Sequence, residues 1–243
     1  LDPATGIFTE WTIPTADSYP ARIHVYGGYV YFTEYSGNKI GCLDPSTGVF
    51  TEWTIPTASS NPQCIYVYGG YVYFTEYYGN NIGRLDPATG VFTEWTIPTA
   101  GSTPWGIYVS GGYVYFTEYQ GNKIGRLDPS TGIFTEWTIP TANSYPAGIH
   151  AYGGYVYFTE ASGNKIGRLD PATGIFTEWT IPTADSNPAR IHVYGGYVYF
   201  TEYLGNKIGR LTVSPVSTVT TSVSKTFSHV TTVSTISTAS GTY

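Results

Sequence analysis

Short runs of aromatic and β-branched residues alternate along the chain with clusters of turn formers. Pro20–Tyr26 (PARIHVY) is a β-prone run ending at Gly27-Gly28, a two-residue hairpin signal. Tyr29–Glu34 (YVYFTE) is the return strand, built from the residue types strands favour. Gly37-Asn38 marks the next turn, and Lys39–Leu43 (KIGCL) is a third strand. Asp44-Pro45-Ser46-Thr47-Gly48 has turn chemistry: Asp bonds the backbone, Pro sets φ, and Gly takes a left-handed conformation. Val49–Ile55 (VFTEWTI) is a fourth strand, stopped by Pro56. No segment holds a helical period, so the pattern predicts an all-β protein.

The pattern repeats. Leu1–Cys42 recurs at residues 43–84, 85–126, 127–168 and 169–210, and 29 of the 42 positions are the same in all five copies. A period near 42 with four strands is the length signature of a propeller blade, so residues 1–210 are expected to form a five-bladed β-propeller. With strands labelled a to d from the centre outward, the chain begins on a strand d (Gly6–Ile13) and its last repeat ends on a strand c. The N-terminal d strand is expected to close the last blade. Without that closure, the two mismatched edges would pair between molecules and form open fibres.

Differences between the copies cluster at the d–a connection, the start of strand a and the b–c turn. Strands alternate in direction, so these segments emerge on one face, which suggests a binding face; neutral drift in loops is the alternative. The ligand candidates on it are Arg22, Gln63, Trp105 and Arg190, since aromatic faces stack on sugar rings and arginines fix polar groups. One slot of strand a holds His24, Tyr66, Tyr108, His150 and His192, readable as a metal or pH-sensitive site or as packing between blades. Glu34, Glu76, Glu118, Glu160 and Glu202 end the five b strands. They are readable as a ring of carboxylates drawing a cation, or as separate turn caps paired with a Lys or Arg. Cys42 and Cys64 fall near opposite faces, so free thiols are expected.

Composition narrows the classes. The net charge of −6 argues against nucleic acid, and no apolar run of 18 or more residues is present to span a membrane. Met is absent, position 1 included, which suggests a processed or excised piece of something longer. Residues 211–243 change character: 18 of the 33 are Ser or Thr, with no Asp or Glu. Such a tract reads as an O-glycosylated stalk resembling those of archaeal surface proteins, or as a β-prone donor strand for a neighbour's edge.

At GNKIGRLDPxTGxFTEWTIPT, followed by P-x-x-I and YVYFTE, the sequence resembles the streptogramin B (virginiamycin B) lyase family, across essentially all of residues 1–210. The resemblance implies a seven-bladed propeller that opens a cyclic depsipeptide by magnesium-assisted elimination. In that family the catalytic His directly follows the Pro that starts a strand a; here those positions hold Ala21, Gln63, Trp105, Ala147 and Ala189. The family's acid–base Glu is loosely comparable with Glu34 and its four equivalents. The sequence therefore points to a non-enzymatic propeller, extracellular or at the cell surface, that is structural, self-assembling or adhesive. Its partners would be glycans, surface proteins or further copies of itself, and no cofactor is expected. A lyase needing magnesium and a lectin-like module are the alternatives.

Overall fold

The computed structural model describes residues 6–213. The first blade is β1 (Pro20–Tyr26), β2 (Tyr29–Glu34), β3 (Lys39–Asp44) and β4 (Val49–Thr54). The second is β5 (Pro62–Tyr68), β6 (Tyr71–Glu76), β7 (Asn81–Asp86) and β8 (Val91–Thr96). The third is β9 (Pro104–Ser110), β10 (Tyr113–Glu118), β11 (Lys123–Asp128) and β12 (Ile133–Thr138). The fourth is β13 (Pro146–Tyr152), β14 (Tyr155–Glu160), β15 (Lys165–Asp170) and β16 (Ile175–Thr180). The fifth has three strands: β17 (Pro188–Tyr194), β18 (Tyr197–Glu202) and β19 (Lys207–Thr212). Every sheet is an antiparallel meander, and the fold is the all-β propeller expected. The fourth strand stops at Thr54 because the Ile55 amide turns to bond Asn38 O instead.

Blades are joined face to face. Tyr31, Ile40 and Cys42 of the first blade pack on Ile65, Val67, Val72 and Phe74 of the second, and each later junction repeats this. Within a blade, Gly125 lies opposite Phe116, and a Cβ on Gly125 would stand 2.1 Å from the ring's Cζ. The glycine is therefore the floor that lets the ring lie flat in the interface. A polar clamp ties neighbouring blades: Thr15 bonds Glu52 through both its amide and its hydroxyl, and Lys39 Nζ reaches Thr15 Oγ1 and Glu52 Oε2 at 2.6 and 3.0 Å.

Closure of the last blade by the N-terminal strand is not observed. Gly6–Ile13 forms no strand, and β19 has no fourth strand beside it among the described residues. The inner strands pack in series from β1 through β5, β9 and β13 to β17, without β17 meeting β1 as consecutive members meet. The five blades thus form an open arc. The N-terminal segment stays beside the first blade because Thr15 is clamped to Glu52 and Trp11 lies against Gly48, as Trp53 lies against Gly90. The compact unit runs to Val213, past the last repeat, because β19 extends to Thr212 and Val213 is buried against the fifth blade. The stalk or donor-strand reading of the tail lies outside the described residues. Among those residues no helix is long and apolar enough to cross a membrane.

Candidate functional site

Each inner strand begins with an irregularity that sets the site. Pro20 pairs with Glu34 and Ile23 with Phe32, so Ala21 and Arg22 together face the single residue Thr33. Such a bulge turns its extra residues out of the ladder. Thr33 Oγ1 accepts from the Arg22 amide at 3.1 Å, and Thr201 Oγ1 holds the Arg190 amide likewise at 3.0 Å. The variable pair of every blade is thereby held at the same end of the inner strand. The d–a connections and b–c turns lie together at this end, since the Ser36 amide bonds Ser18 O. The left-handed Asn38 then links each blade to the next connection, accepting from the amide and hydroxyl of Ser60.

These positions converge on a cleft of about 480 Å³ lined by Arg22, Trp105, Tyr119, Ala147, Ala161, Asn187, Ala189, Arg190, Thr201 and Tyr203. The Trp105 indole stacks on Tyr119 with ring centroids 5.2 Å apart. Arg22 Nε and Trp105 Nε1 are buried donors without an acceptor among the described residues. Burial pulls the Arg22 guanidinium below its usual range, partly offset by Cys64. The lining holds two guanidinium groups and no carboxylate. Three of the five positions where the family places its His, namely Trp105, Ala147 and Ala189, are in this wall. Arg22, Trp105 and Arg190 are thus brought together, while Gln63 is buried and stands outside the lining. The sequence had placed Asn187 on the variable d–a connection, but it did not single out Tyr119, Ala161, Thr201 or Tyr203, although Ala161 is the single departure from Tyr at its place in the repeat.

The His/Tyr slot forms a continuous ladder of rings. His24, Tyr66, Tyr108, His150 and His192 follow one another at centroid distances of 4.6, 4.6, 4.3 and 4.4 Å. Burial pushes His150 down to about 4, with His192 adding to the effect, and burial lowers His24 as well. These rings pack between blades, edge to face at His24–Tyr66 and His150–His192 and tilted at Tyr66–Tyr108 and Tyr108–His150. Among the described residues no three His, Cys, Asp or Glu side chains converge to hold a metal.

The five strand-b glutamates are each buried in their own blade, and no three of them converge among the described residues. Glu34, Glu76, Glu118 and Glu160 are fully buried and Glu202 nearly so. Burial raises Glu34 to about 7 and Glu118 and Glu160 to about 8, reinforced by a strand-d neighbour, Glu52, Glu136 or Glu178. Burial likewise takes Glu76 to about 8 against the opposing bond from Asn81. Burial also works to raise Glu52, but the bonds from Lys39 and Thr15 outweigh it and leave Glu52 below the usual carboxylate range. In the third and fourth blades a Glu raised to about 8 therefore stands beside one held below the usual carboxylate range. Cys42 and Cys64 are free thiols, and burial raises both.

The virginiamycin B lyase family model matches residues 6–229. Virginiamycin B lyase from Staphylococcus aureus is 40% identical, with a TM-score of 0.79 over 84% of this chain and 70% of that one. A catalytically inactive histidine-to-alanine variant of the Staphylococcus aureus enzyme, with quinupristin, is 38% identical, with a TM-score of 0.81 over 86% and 72%. A streptogramin B lyase is 36% identical, with a TM-score of 0.80 over 84% and 69%. No curated protein sequence matches. The repeat wording, the blade geometry and the family match agree, and the chain belongs to the virginiamycin B lyase family.

Proposed function

We propose that this chain is a non-enzymatic binding propeller, acting outside the cell or on its surface as an adhesive or structural module. Its cleft takes an acidic glycan, with a carboxylate between Arg22 and Arg190 and a sugar ring on the Trp105 face. The observation that carries this reading is the lining itself: two guanidinium groups and a stacked indole, with no carboxylate. Elimination chemistry needs a positioned base near the working pH. Trp105, Ala147 and Ala189 stand where the family has its His, and a relative that has lost a histidine to alanine is catalytically inactive. The donor set also does not fit magnesium, because the arginines oppose a cation and Glu76, Glu118 and Glu160 are separately buried, with burial raising each to about 8.

Calorimetric titration with uronic-acid oligosaccharides and their neutral counterparts tests the reading. Binding is expected for the acidic series alone. A charge-assisted hydrogen bond contributes about 1.5–3 kcal/mol, so Arg22→Ala or Arg190→Ala should weaken binding roughly 10- to 100-fold. Equal binding of neutral and acidic sugars, or none of either, would sink it. The family's own activity is the second reading, favoured by the shared fold. Ring opening of a streptogramin B with magnesium, well above the buffer rate, would establish that reading in place of ours.

A further inference from the structure

The two ends of the arc carry the unpaired halves of one junction. In the third blade, Thr99 and Lys123 meet Glu136 of strand d, and Arg126 lies between Tyr113 and Trp137. In the fifth blade, Lys207 Nζ bonds Thr183 Oγ1 at 2.8 Å and Arg210 lies over Tyr197, but no Glu or Trp completes either set among the described residues. At the other end, Gly6–Ile13 has the strand-d sequence, with Phe8, Glu10 and Trp11 at the matching places and Phe8 73% exposed. The flat faces are orphaned in the same way. Ile208 is 72% exposed whereas Ile40, Ile82 and Ile124 are fully buried, and Ile23 is 66% exposed whereas Ile65 is buried.

We infer that the occupant of both ends is a second copy of this chain. Gly6–Ile13 of one copy pairs with β19 of another, and the first blade of the one then packs on the fifth blade of the other. The register follows from β11 and β12, where Lys123 faces Thr138 and Gly125 faces Glu136. Transferred to the joint, Lys207 faces Thr12 and Gly209 faces Glu10. Glu10 then supplies the carboxylate for Thr183 and Lys207, and Trp11 covers Arg210. The chain's own continuation is a poorer occupant. Counted in the repeat's register, it has Val216 for the left-handed Gly, Thr220 for Glu and Thr221 for Trp. The joint is heterologous, so it makes a closed ring or an open fibre according to the rotation between copies. It does not depend on the ligand proposed for the cleft.

Light scattering coupled to size exclusion, on the whole 243-residue chain across a concentration series, tests the joint. Wild type is expected to gain mass with concentration. Ile208→Asp alters a side chain already exposed, so it should leave a folded monomer by circular dichroism. Glu10→Lys and Lys207→Glu should each weaken assembly about tenfold or more, while an equimolar mixture of the two restores it, because every joint again pairs opposite charges. A wild-type monomer at every concentration would overturn the inference. So would assembly that Ile208→Asp leaves intact, or a mixture no better than either variant alone.

Discussion

Replacing Glu118 by Gln probes the carboxyl pair of the third blade, in which Glu118 is raised and Glu136 is held below the usual carboxylate range. Glu118 is fully buried beside Glu136, and its pKa stands at about 8 against an ordinary value of 4.5. The folded chain therefore holds this proton at neutral pH, whereas the unfolded chain has released it. A raised acid contributes its full stability below the unfolded value and loses it as pH climbs toward the folded one. At pH 7 the lost contribution is about 3 kcal/mol for this single group, with a slope approaching 1.4 kcal/mol per pH unit between them. Gln is neutral at every pH, and its amide supplies donors beside Glu136 in place of the carboxylic acid. Allowing about 1 kcal/mol for imperfect amide bonding at any pH, Glu118→Gln should gain about 2 kcal/mol at pH 7 and lose about 1 kcal/mol at pH 4. Urea unfolding followed by tryptophan fluorescence at several pH values between 4 and 8 measures both quantities. Parallel stability curves for wild type and variant would refute the reasoning, since they would mean that Glu118 titrates alike in both states.

Two further outcomes follow from side-chain contacts. Gly125→Ala places a methyl group 2.1 Å from the buried Phe116 ring, which should cost about 3 kcal/mol in the same unfolding assay. Adding Phe116→Leu to it should cost less than the two single losses summed, and strict additivity would show that the ring is not what the glycine accommodates. His150 is buried and neutral at about 4, so the stability it permits is present above pH 6.5 and lost as pH falls toward 4. His150→Tyr places the residue of Tyr66 and Tyr108 in that slot and should remove up to about 3 kcal/mol of this acid sensitivity. An unchanged acid limb of the stability curve would contradict it.

Much of the blade was legible because its determinants are local. Gly27-Gly28 and Asn38 take the positive φ that their turns need, and the runs PARIHVY and YVYFTE became β1 and β2 at the boundaries expected. The rim carrying Arg22, Trp105 and Arg190 could be placed from strand alternation alone. The cleft itself could not. The volume beside Trp105 exists because Ala147 and Ala161 of the fourth blade meet Ala189 of the fifth, and the bulge that turns out Arg22 depends on Thr33 across the strand pair. The glutamates illustrate the same limit. Glu34 follows a simple sequence pattern that left a ring of carboxylates and separate turn caps both open, and only the fold shows each Glu buried apart, with Glu52 reaching Glu34 from strand d.

The repeat alone determined an all-β blade, its turns and the face on which variation collects, since propensity and alternation act within a few residues of one another. Only the tertiary structure decided that five blades make an open arc with Gly6–Ile13 apart from β19. The turn from one blade to the next is set by how Tyr31 and Ile40 seat against Ile65 and Phe74, and that angle accumulates across the chain without leaving a mark in any single repeat.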